Sequence, residues 1–365
     1  MRAWVYQEDA ESTPKIALMT VPLPEIGEQD VLLKTERVSV CATDEMLFSG
    51  LLNRATSGVI PGHEVCGRIV RVGAAVSGIT EGALAAVESH YSLPGSVDEG
   101  VIGLWPPHMS SGQPLRLYDG GFAEYLVVPA SCVHMLPESC LEHGFWPSLF
   151  EPAGNDFLLA KIAIQTTGAR RFSVAGCGPH GLYAQIFLKH FGANQVVAFE
   201  LDPERRSFAR EMGASDAVLD PASPEFQECV RELTEGELFD VSLDMVGKAG
   251  HAFKMCCDVT RTGGTIALFG LFGSTVEIGG INANDLIFSR LKSEYSYQGR
   301  TFNLIGVTGR EGIWPELIET VTGSRELQAE LMKPVTVVGS LDNLAQYVAT
   351  KPRGRLKAAL YPFST

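Results

Sequence analysis

Four residues in the first half of the chain carry side chains that can bind a transition metal. They are Cys41, His63, Glu64 and Glu151. Thiolate sulfur and imidazole nitrogen are good zinc ligands, and a carboxylate can complete or exchange within a tetrahedral site. Taken singly, a cysteine in a strand is usually a core residue, and a His-Glu pair usually lies on a surface. Residue types and spacing therefore leave open both a metal site and purely structural roles.

A second group of residues has the order expected of a dinucleotide-binding turn. Gly176, Gly178 and Gly181 form the pattern G-x-G-x-x-G directly after a strand-like run, and Pro179 and His180 fill the positions before the third glycine. The first glycine permits a tight turn, the second lets the backbone approach a pyrophosphate, and the third allows a helix to pack closely on a strand. The helix N-terminus offers free N–H groups to phosphate oxygens. Strand, triplet, helix and second strand together predict dinucleotide binding.

The second strand ends at Glu200, close to the spacing of about 20 residues expected of a carboxylate that binds the adenosine ribose. Because this carboxylate would repel a ribose 2′-phosphate, NAD is favoured over NADP. Arg205 and Arg206 weaken that preference, since an arginine near the ribose can accommodate the additional phosphate. Both arginines can equally be solvated side chains of a helix that begins after Asp202.

Composition and charge exclude several classes of partner. The chain has 365 residues, of which 45% are hydrophobic and 20% are charged, as in a globular protein with two domains. A net charge of −14 argues against nucleic acid or an anionic membrane as a partner. The N-terminal residues lack the apolar core of a signal peptide, and no apolar run approaches the length of a membrane span. We therefore predict a cytoplasmic location.

Hydrophobic periodicity divides the chain into two kinds of structure. Residues 1–40 form short runs of alternating apolar and polar residues, which is typical of β-strands. From about Glu151, strand and helix signals alternate, which predicts a parallel sheet with right-handed crossovers. The final segment LKAALYP looks like a strand that returns to the first domain. We predict an α/β chain in which a Rossmann doubly wound parallel sheet, residues 155–293, is inserted in a discontinuous β-rich catalytic domain, residues 1–154 and 294–365.

Five short motifs are distributed over nearly the whole chain. They are Cys41-Ala42-Thr43-Asp44, Pro61-Gly62-His63-Glu64-Val65-x-Gly67, Gly120-Gly121-Phe122-Ala123-Glu124-Tyr125, Glu151-Pro152-x-Gly154-Asn155 and the glycine triplet. In this order they resemble the motifs of zinc-dependent medium-chain alcohol dehydrogenases, and most closely those of the polyol, sugar and threonine dehydrogenase branch. The resemblance implies an enzyme that transfers hydride between a secondary alcohol and NAD with the help of one catalytic zinc ion.

The same resemblance implies a role for each matching residue. Cys41 and His63 would be zinc ligands, Glu64 a ligand or a ligand-exchange partner that takes part in catalysis, and Glu151 the remaining carboxylate. Thr43 would begin a proton relay from the substrate hydroxyl toward solvent. In this mechanism zinc acts as a Lewis acid that lowers the pKa of the alcohol.

His90 is a further catalytic candidate. Glu88-Ser89-His90 resembles the Glu-Gly-His segment of threonine dehydrogenases, where the histidine lies at the substrate. The alternative for His90 is a histidine at a strand end that bonds to the backbone.

The chain also departs from many members of the family. Those relatives carry four closely spaced cysteines that bind a structural zinc, whereas no cysteine lies between Cys66 and Cys132 here. We therefore expect no structural zinc, and we expect most of the cysteines to be small buried residues. The intervening region, Tyr91–Tyr118, is rich in proline, glycine and serine and is predicted to be a long loop of the β-rich domain.

Two other functions fit parts of the sequence. A zinc-free reductase of the same superfamily would act on enones or quinones, but such members usually lack the ligand set present here. A non-catalytic protein that senses NAD and NADH would have no need of a Lewis acid. The family resemblance implies a small alcohol or ketone as the substrate. It also implies a homodimer or homotetramer formed through the edge of the cofactor-domain sheet.

Overall fold

A computed structural model describes residues 1–9, 14–52, 56–142, 144–165, 168–273, 275–309, 312–350 and 356–364. The strands of this part of the chain are, from β1 to β20, Arg2–Tyr6, Ile16–Thr20, Asp30–Val40, Glu64–Val72, Leu84–Val87, His90–Tyr91, Gly100–Val101, Tyr125–Pro129, Val133–Leu136, Arg171–Ala175, Gln195–Phe199, Ala217–Leu219, Phe239–Asp244, Thr260–Leu268, Glu277–Ile278, Ile281–Asn282, Lys292–Tyr297, Arg300–Gly306, Val335–Ser340 and Lys357–Tyr361. The α-helices, from α1 to α10, are Ala42–Phe48, Phe150–Gln165, Pro179–His190, Pro203–Met212, Phe226–Leu233, His251–Val259, Ala283–Phe288, Trp314–Thr322, Arg325–Met332 and Leu344–Thr350. No described helix is long and apolar enough to cross a membrane.

The chain separates into two compact units. The first comprises Met1–Pro152 together with Trp314–Thr365, and the second comprises Ala153–Ile313. A segment that is continuous in sequence is thus inserted in a unit that is discontinuous, as the periodicity predicted.

The first unit is built on a seven-stranded sheet in the order β19-β20-β3-β4-β5-β9, with β8 also paired to β3. Apart from the parallel pair of β19 and β20, its strands pair antiparallel. Val31, Leu33 and Val38 of β3 and Val65 and Ile69 of β4 belong to its apolar core. The long strand β3 is therefore held in place by its buried side chains and by its pairing with β20, β4 and β8.

The strand register brings three chain segments to one end of this sheet. Ser39 near the end of β3 lies opposite Glu64 at the start of β4. Val40 lies opposite Ala358, the second residue of β20. Residues just after β3, just before β4 and at the start of β20 consequently meet, although they are far apart in sequence.

The region Tyr91–Tyr118 is anchored to the start of β3. Tyr118 Oη donates a hydrogen bond to Asp30 Oδ1 at 2.8 Å, and Arg116 Nη1 lies 2.7 Å from Asp30 Oδ2. The ring of Tyr118 also packs edge-on against the ring of Tyr91, with 5.1 Å between centroids. These contacts tie both ends of the predicted loop to the first unit.

The second unit contains a seven-stranded sheet in the order β12-β11-β10-β13-β14-β18-β17. All neighbouring strands are parallel except β17 and β18. Counted from β10, the parallel strands follow the order 3-2-1-4-5-6 of a doubly wound dinucleotide-binding fold. The predicted α/β class with a Rossmann sheet is confirmed.

The second unit extends further along the chain than the predicted boundary at residue 293. β17 begins at Lys292, and β17 with β18 completes the sheet before the unit ends at Ile313. The alternating residues of β17 predict a half-buried strand, but alternation does not reveal which sheet a strand joins.

Candidate metal centre and cofactor loop

Cys41 and His63 are placed by the ends of two paired strands. Cys41 follows β3 directly and is the N-cap residue of α1, and His63 directly precedes β4. Because Ser39 pairs with Glu64 across these strands, both residues are held at the same end of the sheet.

Three side chains of ligand type form one group there. One ligand atom from each of Cys41, His63 and Glu64 lies within 4.8 Å of the other two. Their exposed fractions are 8%, 6% and 0%. We call these three residues the metal group. The group offers a thiol, an imidazole and a carboxylate, all of them buried, and these are ligand types that zinc prefers.

Asp44 supports two members of the metal group. It is fully buried, and its Oδ2 accepts a hydrogen bond from the backbone N–H of Cys41 at 2.9 Å. Its Oδ1 lies 3.3 Å from Nδ1 of His63. Burial is the largest influence on His63 and lowers its pKa, but the charges of Asp44 and Cys41 outweigh it and raise the pKa well above the ordinary value. A carboxylate at this nitrogen orients the imidazole and leaves its other nitrogen for a ligand.

Lys357 supports the third member. Lys357 Nζ donates to Glu64 Oε1, and the two side chains are 2% and 0% exposed. Burial raises the pKa of Glu64 and the Lys357 ammonium opposes this effect. Burial lowers the pKa of Lys357, but the charge of Glu64 more than offsets this effect, and the pKa is raised.

The second oxygen of Glu64 decides whether a metal fits this site. Oε2 is buried and has no hydrogen-bond partner among the described residues. A buried carboxylate oxygen without a donor carries a free-energy cost that a bound cation removes. The metal group therefore fits a zinc ion, which Cys41, His63 and Glu64 would hold.

Glu151, the fourth predicted ligand, lies outside this three-residue group. It is 3% exposed and its Oε1 accepts a hydrogen bond from Ser89 Oγ at 2.6 Å. Ser89 Oγ is also 3.2 Å from Nδ1 of His90, whose backbone carbonyl accepts from the thiol of Cys132. The structure thus brings Glu151 and His90 together through Ser89.

Thr43 lies beside the metal group. Its Oγ1 is 3.7 Å from Cys41 Sγ, and its side chain is partly exposed. Thr43 is a residue of α1, so its position follows from the capping of that helix by Cys41. Its hydroxyl is near both the thiol and solvent.

The glycine triplet forms the turn between β10 and α3. Gly176 has a φ of +99°, which glycine adopts without strain. A Cβ on Gly181 would lie 2.0 Å from the carbonyl oxygen of Gly176, whereas a Cβ on Gly178 would meet only Arg205 Nη1 at 4.0 Å. Gly181 is therefore required for packing, and Gly178 leaves space in front of the helix N-terminus at Pro179.

Glu200 lies against this turn. Its Oε2 accepts from the backbone N–H of Cys177 at 2.7 Å, and its Oε1 accepts from that of Asp202 at 2.9 Å. Arg205 is exposed and reaches the space next to Gly178. Arg206 instead pairs with Asp220 at 2.9 Å, which gives it a structural partner.

His180, the second residue of α3, has a buried acidic partner. Its Nδ1 lies 2.9 Å from Oδ2 of Asp156, which is fully buried. Its ring centroid is 5.0 Å from that of Phe269. These two contacts hold the side chain at the glycine turn.

Two family models match the chain. The alcohol dehydrogenase GroES-like domain matches residues 27–138, and the zinc-binding dehydrogenase domain matches residues 179–321. An L-threonine 3-dehydrogenase of Anaeromyxobacter dehalogenans is 30% identical over 342 residues, which are 92% of this chain and 91% of that protein. An L-threonine 3-dehydrogenase of Cronobacter sakazakii is 32% identical over 283 residues, which are 76% of this chain and 79% of that protein. The chain belongs to the zinc-dependent medium-chain alcohol dehydrogenase family.

Solved structures agree with this assignment at the level of the fold. 2R,3R-butanediol dehydrogenase from Bacillus subtilis superposes with a TM-score of 0.76 at 22% identity and covers 99% of each chain. A zinc-binding dehydrogenase from Sinorhizobium meliloti, solved with NADP, gives a TM-score of 0.77 at 22% identity and covers 99% of this chain and 100% of that one. As a zinc-dependent medium-chain dehydrogenase, the chain is an alcohol oxidoreductase that uses zinc and a nicotinamide cofactor.

Three supporting residues of this dehydrogenase were not singled out by sequence reasoning. The sequence contains a pattern that could have identified Asp44, because an acid three residues after an N-cap closes a capping box. For Lys357 the sequence signal is weaker: a lysine inside the apolar run LKAAL is expected to be buried and therefore to pair with an acidic side chain. For Ser89 the sequence contains no such signal, because the hydrogen bond from its hydroxyl to Glu151 depends on contact between distant segments.

Proposed function

We propose that the chain is an NAD-dependent dehydrogenase of a secondary alcohol, with a single zinc ion held by the metal group. The observation that carries this proposal is the burial of Cys41, His63 and Glu64 within 4.8 Å of one another, with an unpartnered oxygen on Glu64. Asp44, through the Cys41 backbone and the His63 ring, and Lys357, through the Glu64 carboxylate, hold these three residues in place.

The reaction converts a secondary alcohol to a ketone. When bound, zinc lowers the pKa of the substrate hydroxyl, and the nicotinamide ring accepts a hydride. The carbon loses this hydride and the oxygen loses a proton, so the products are the ketone, the reduced cofactor and one proton. Thr43 can accept that proton and pass on its own, because a hydroxyl is both donor and acceptor.

We infer the substrate class from Glu151, whose charge acts on Glu64, and from His90, which contacts the same Ser89 hydroxyl as Glu151. In this proposal the two side chains contact a second polar group of the substrate, such as the amine or hydroxyl of an amino alcohol, polyol or sugar. The relatives described above are named L-threonine 3-dehydrogenases, which supports a vicinal amino alcohol as the first compound to test. We expect a homodimer or homotetramer joined through β17, the last strand of the second sheet.

Metal content tests this function directly. We expect about one zinc per chain in protein purified without chelator, and we expect Cys41→Ser to lose both zinc and turnover while it still binds NAD. NAD binding should persist because the glycine turn and Glu200 belong to the other unit. Metal analysis, an alcohol panel and a fluorescence titration with NADH measure the three properties.

Cys140→Ser is the matched control, because Cys140 is also buried in the first unit but is not part of the metal group. A folded, NADH-binding protein without zinc would contradict the proposal and favour the zinc-free reductase. Two zinc ions per chain would reveal a further metal site. Bound zinc without turnover on any alcohol would favour a sensor of the cofactor.

Cofactor choice depends on the charge of Glu200. Glu200→Gln keeps an acceptor for the backbone of the glycine turn but removes the negative charge that would repel a 2′-phosphate. We expect kcat/KM for NADP to rise relative to that for NAD by about 10-fold or more, a free-energy change of about 1.4 kcal/mol. Arg205→Ala in this background should reverse the gain. An unchanged ratio in Glu200→Gln would remove Glu200 from the ribose site.

A further inference from the structure

Ser89 occupies a buried position between two residues of the proposed site. It is 1% exposed, and its Oγ donates to Glu151 Oε1 at 2.6 Å. The same oxygen lies 3.2 Å from Nδ1 of His90. Its hydroxyl hydrogen is therefore directed at the carboxylate, and its oxygen faces the imidazole.

Glu151 is near the metal group but is held apart from it. Its charge influences the pKa values of both Glu64 and Lys357, so the carboxylate lies within electrostatic range of them. Yet the described ligand atoms that lie within 4.8 Å of one another come from Cys41, His63 and Glu64 alone. The short bond to Ser89 helps to hold the Oε1 end of Glu151 in place.

The hydroxyl of Ser89 changes what Glu151 can do. A hydrogen bond to a buried carboxylate is strong, because the surroundings are poorly polarisable and water does not compete. It also reduces the electron density that the bonded oxygen can offer to a cation. Removing this donor would take a strong hydrogen bond away from the buried carboxylate, and a move toward a nearby metal ion would offset that loss.

We propose that Ser89 is a positioning residue that keeps Glu151 beside the metal group and out of the zinc coordination sphere. Zinc then has three protein ligands and one position open to the substrate, which is the arrangement of catalytic zinc sites. This inference rests on the proposed function, because it requires the metal group to bind zinc. It assigns Glu151 to the substrate side of the site.

Cobalt(II) reports the coordination number without catalysis. Metal-depleted protein is reconstituted with cobalt, and its visible absorption is recorded during a titration with azide, an anion that enters an open position. We expect azide to shift the spectrum of the parent protein. In Ser89→Ala, Glu151 takes the open position, so the spectrum of the azide-free protein should change and at least 10-fold more azide should be needed.

Four further variants identify the cause of the change. Ser89→Ala combined with Glu151→Gln should respond to azide as Glu151→Gln alone does. Ser89→Thr, which keeps the hydroxyl, should respond as the parent protein. Ser173→Ala is the matched control, because Ser173 is equally buried in the other unit and donates to Ser242 at 2.6 Å.

The outcomes separate this inference from the proposed function. Cobalt binding in the parent with an unchanged azide response in Ser89→Ala overturns the role of Ser89 alone. A change that persists without the Glu151 carboxylate, or that also appears in Ser173→Ala, overturns it as well. A parent protein without thiolate-to-cobalt absorption overturns the metal group and the proposed function with it.

Discussion

Asp44 has no exposed surface and contacts two of the three residues of the metal group. It binds no ion itself in the proposed site. Through Cys41 N and His63 Nδ1 it fixes the position of one proposed ligand and the orientation of the other. Partners of this kind tune metal affinity because they determine how much freedom the ligands lose on binding.

Asp44→Asn should weaken metal binding without unfolding the protein. The amide keeps the size of the side chain and an acceptor for Cys41 N–H, but it removes the charge next to His63. We expect a loss of about 10–100-fold in zinc affinity. Competition with a chromogenic chelator measures it.

Asp30→Asn serves as the comparison, since Asp30 is a buried aspartate of the same unit that binds Arg116 and Tyr118. Equal zinc affinity in Asp44→Asn and the parent would show that Asp44 only caps α1.

The turn from β10 to α3 illustrates how an element constrains residue types. The helix can approach the strand only if Gly181 has no side chain, because a Cβ would lie 2.0 Å from the Gly176 carbonyl oxygen. Gly178, the N-cap of α3, meets no such obstacle. Two glycines of one motif are thus needed for different physical reasons. Gly181 permits the helix to pack on the strand, and Gly178 leaves space at the helix N-terminus.

Gly181→Ala and Gly178→Ala should therefore affect different properties. The first forces the helix away from the strand and should destabilise the second unit by about 1–3 kcal/mol. The second should leave the thermal midpoint within about 2 °C of the parent but weaken NADH binding at least about 10-fold, because its methyl group occupies the approach of the pyrophosphate. Differential scanning calorimetry and NADH titration separate the two effects. Tight NADH binding by Gly178→Ala would place the phosphates elsewhere.

At the scale of the whole molecule, the metal group depends on a residue from the other end of the chain. Lys357 and Glu64 are 293 residues apart in sequence and form a fully buried ion pair. The pair connects the C-terminal strand β20 to the start of β4 across the end of β3. The strand β20 thus adds the charged side chain of Lys357 to the site as well as a strand to the sheet.

Lys357→Met should destabilise the metal-free protein. Removing one partner of a buried pair leaves an uncompensated charge and costs about 3–5 kcal/mol. Adding Glu64→Gln should recover most of this loss. Thermal unfolding of the first unit in the presence of chelator is the measurement.

Lys333→Met is the matched control, because Lys333 pairs with Glu330 on the surface of the same unit, and it should cost at most about 1 kcal/mol. A similar loss in both lysine variants would contradict a special role for the buried pair.

The sequence by itself determined the class of chemistry and the class of fold. The motifs around Cys41, His63, Glu64 and Glu151 predicted zinc chemistry through their resemblance to a known family, since the residue types alone left structural roles open. The pattern G-x-G-x-x-G followed by a helix is local, and its geometry depends on neighbours in sequence. Alternation of strand and helix signals likewise requires only short windows, and it predicted the parallel sheet that begins with β10. These properties are encoded over a few residues and need no knowledge of distant contacts.

The tertiary structure alone decided which side chains support the site and where the second unit ends. The bonds of Ser89 to Glu151 and of Lys357 to Glu64 join segments that are 62 and 293 residues apart. The membership of β17 and β18 in the second sheet likewise depends on pairing with β14. Such contacts follow from strand register and packing, which are set by the whole fold, so the local pattern of residues does not identify the partner of a side chain.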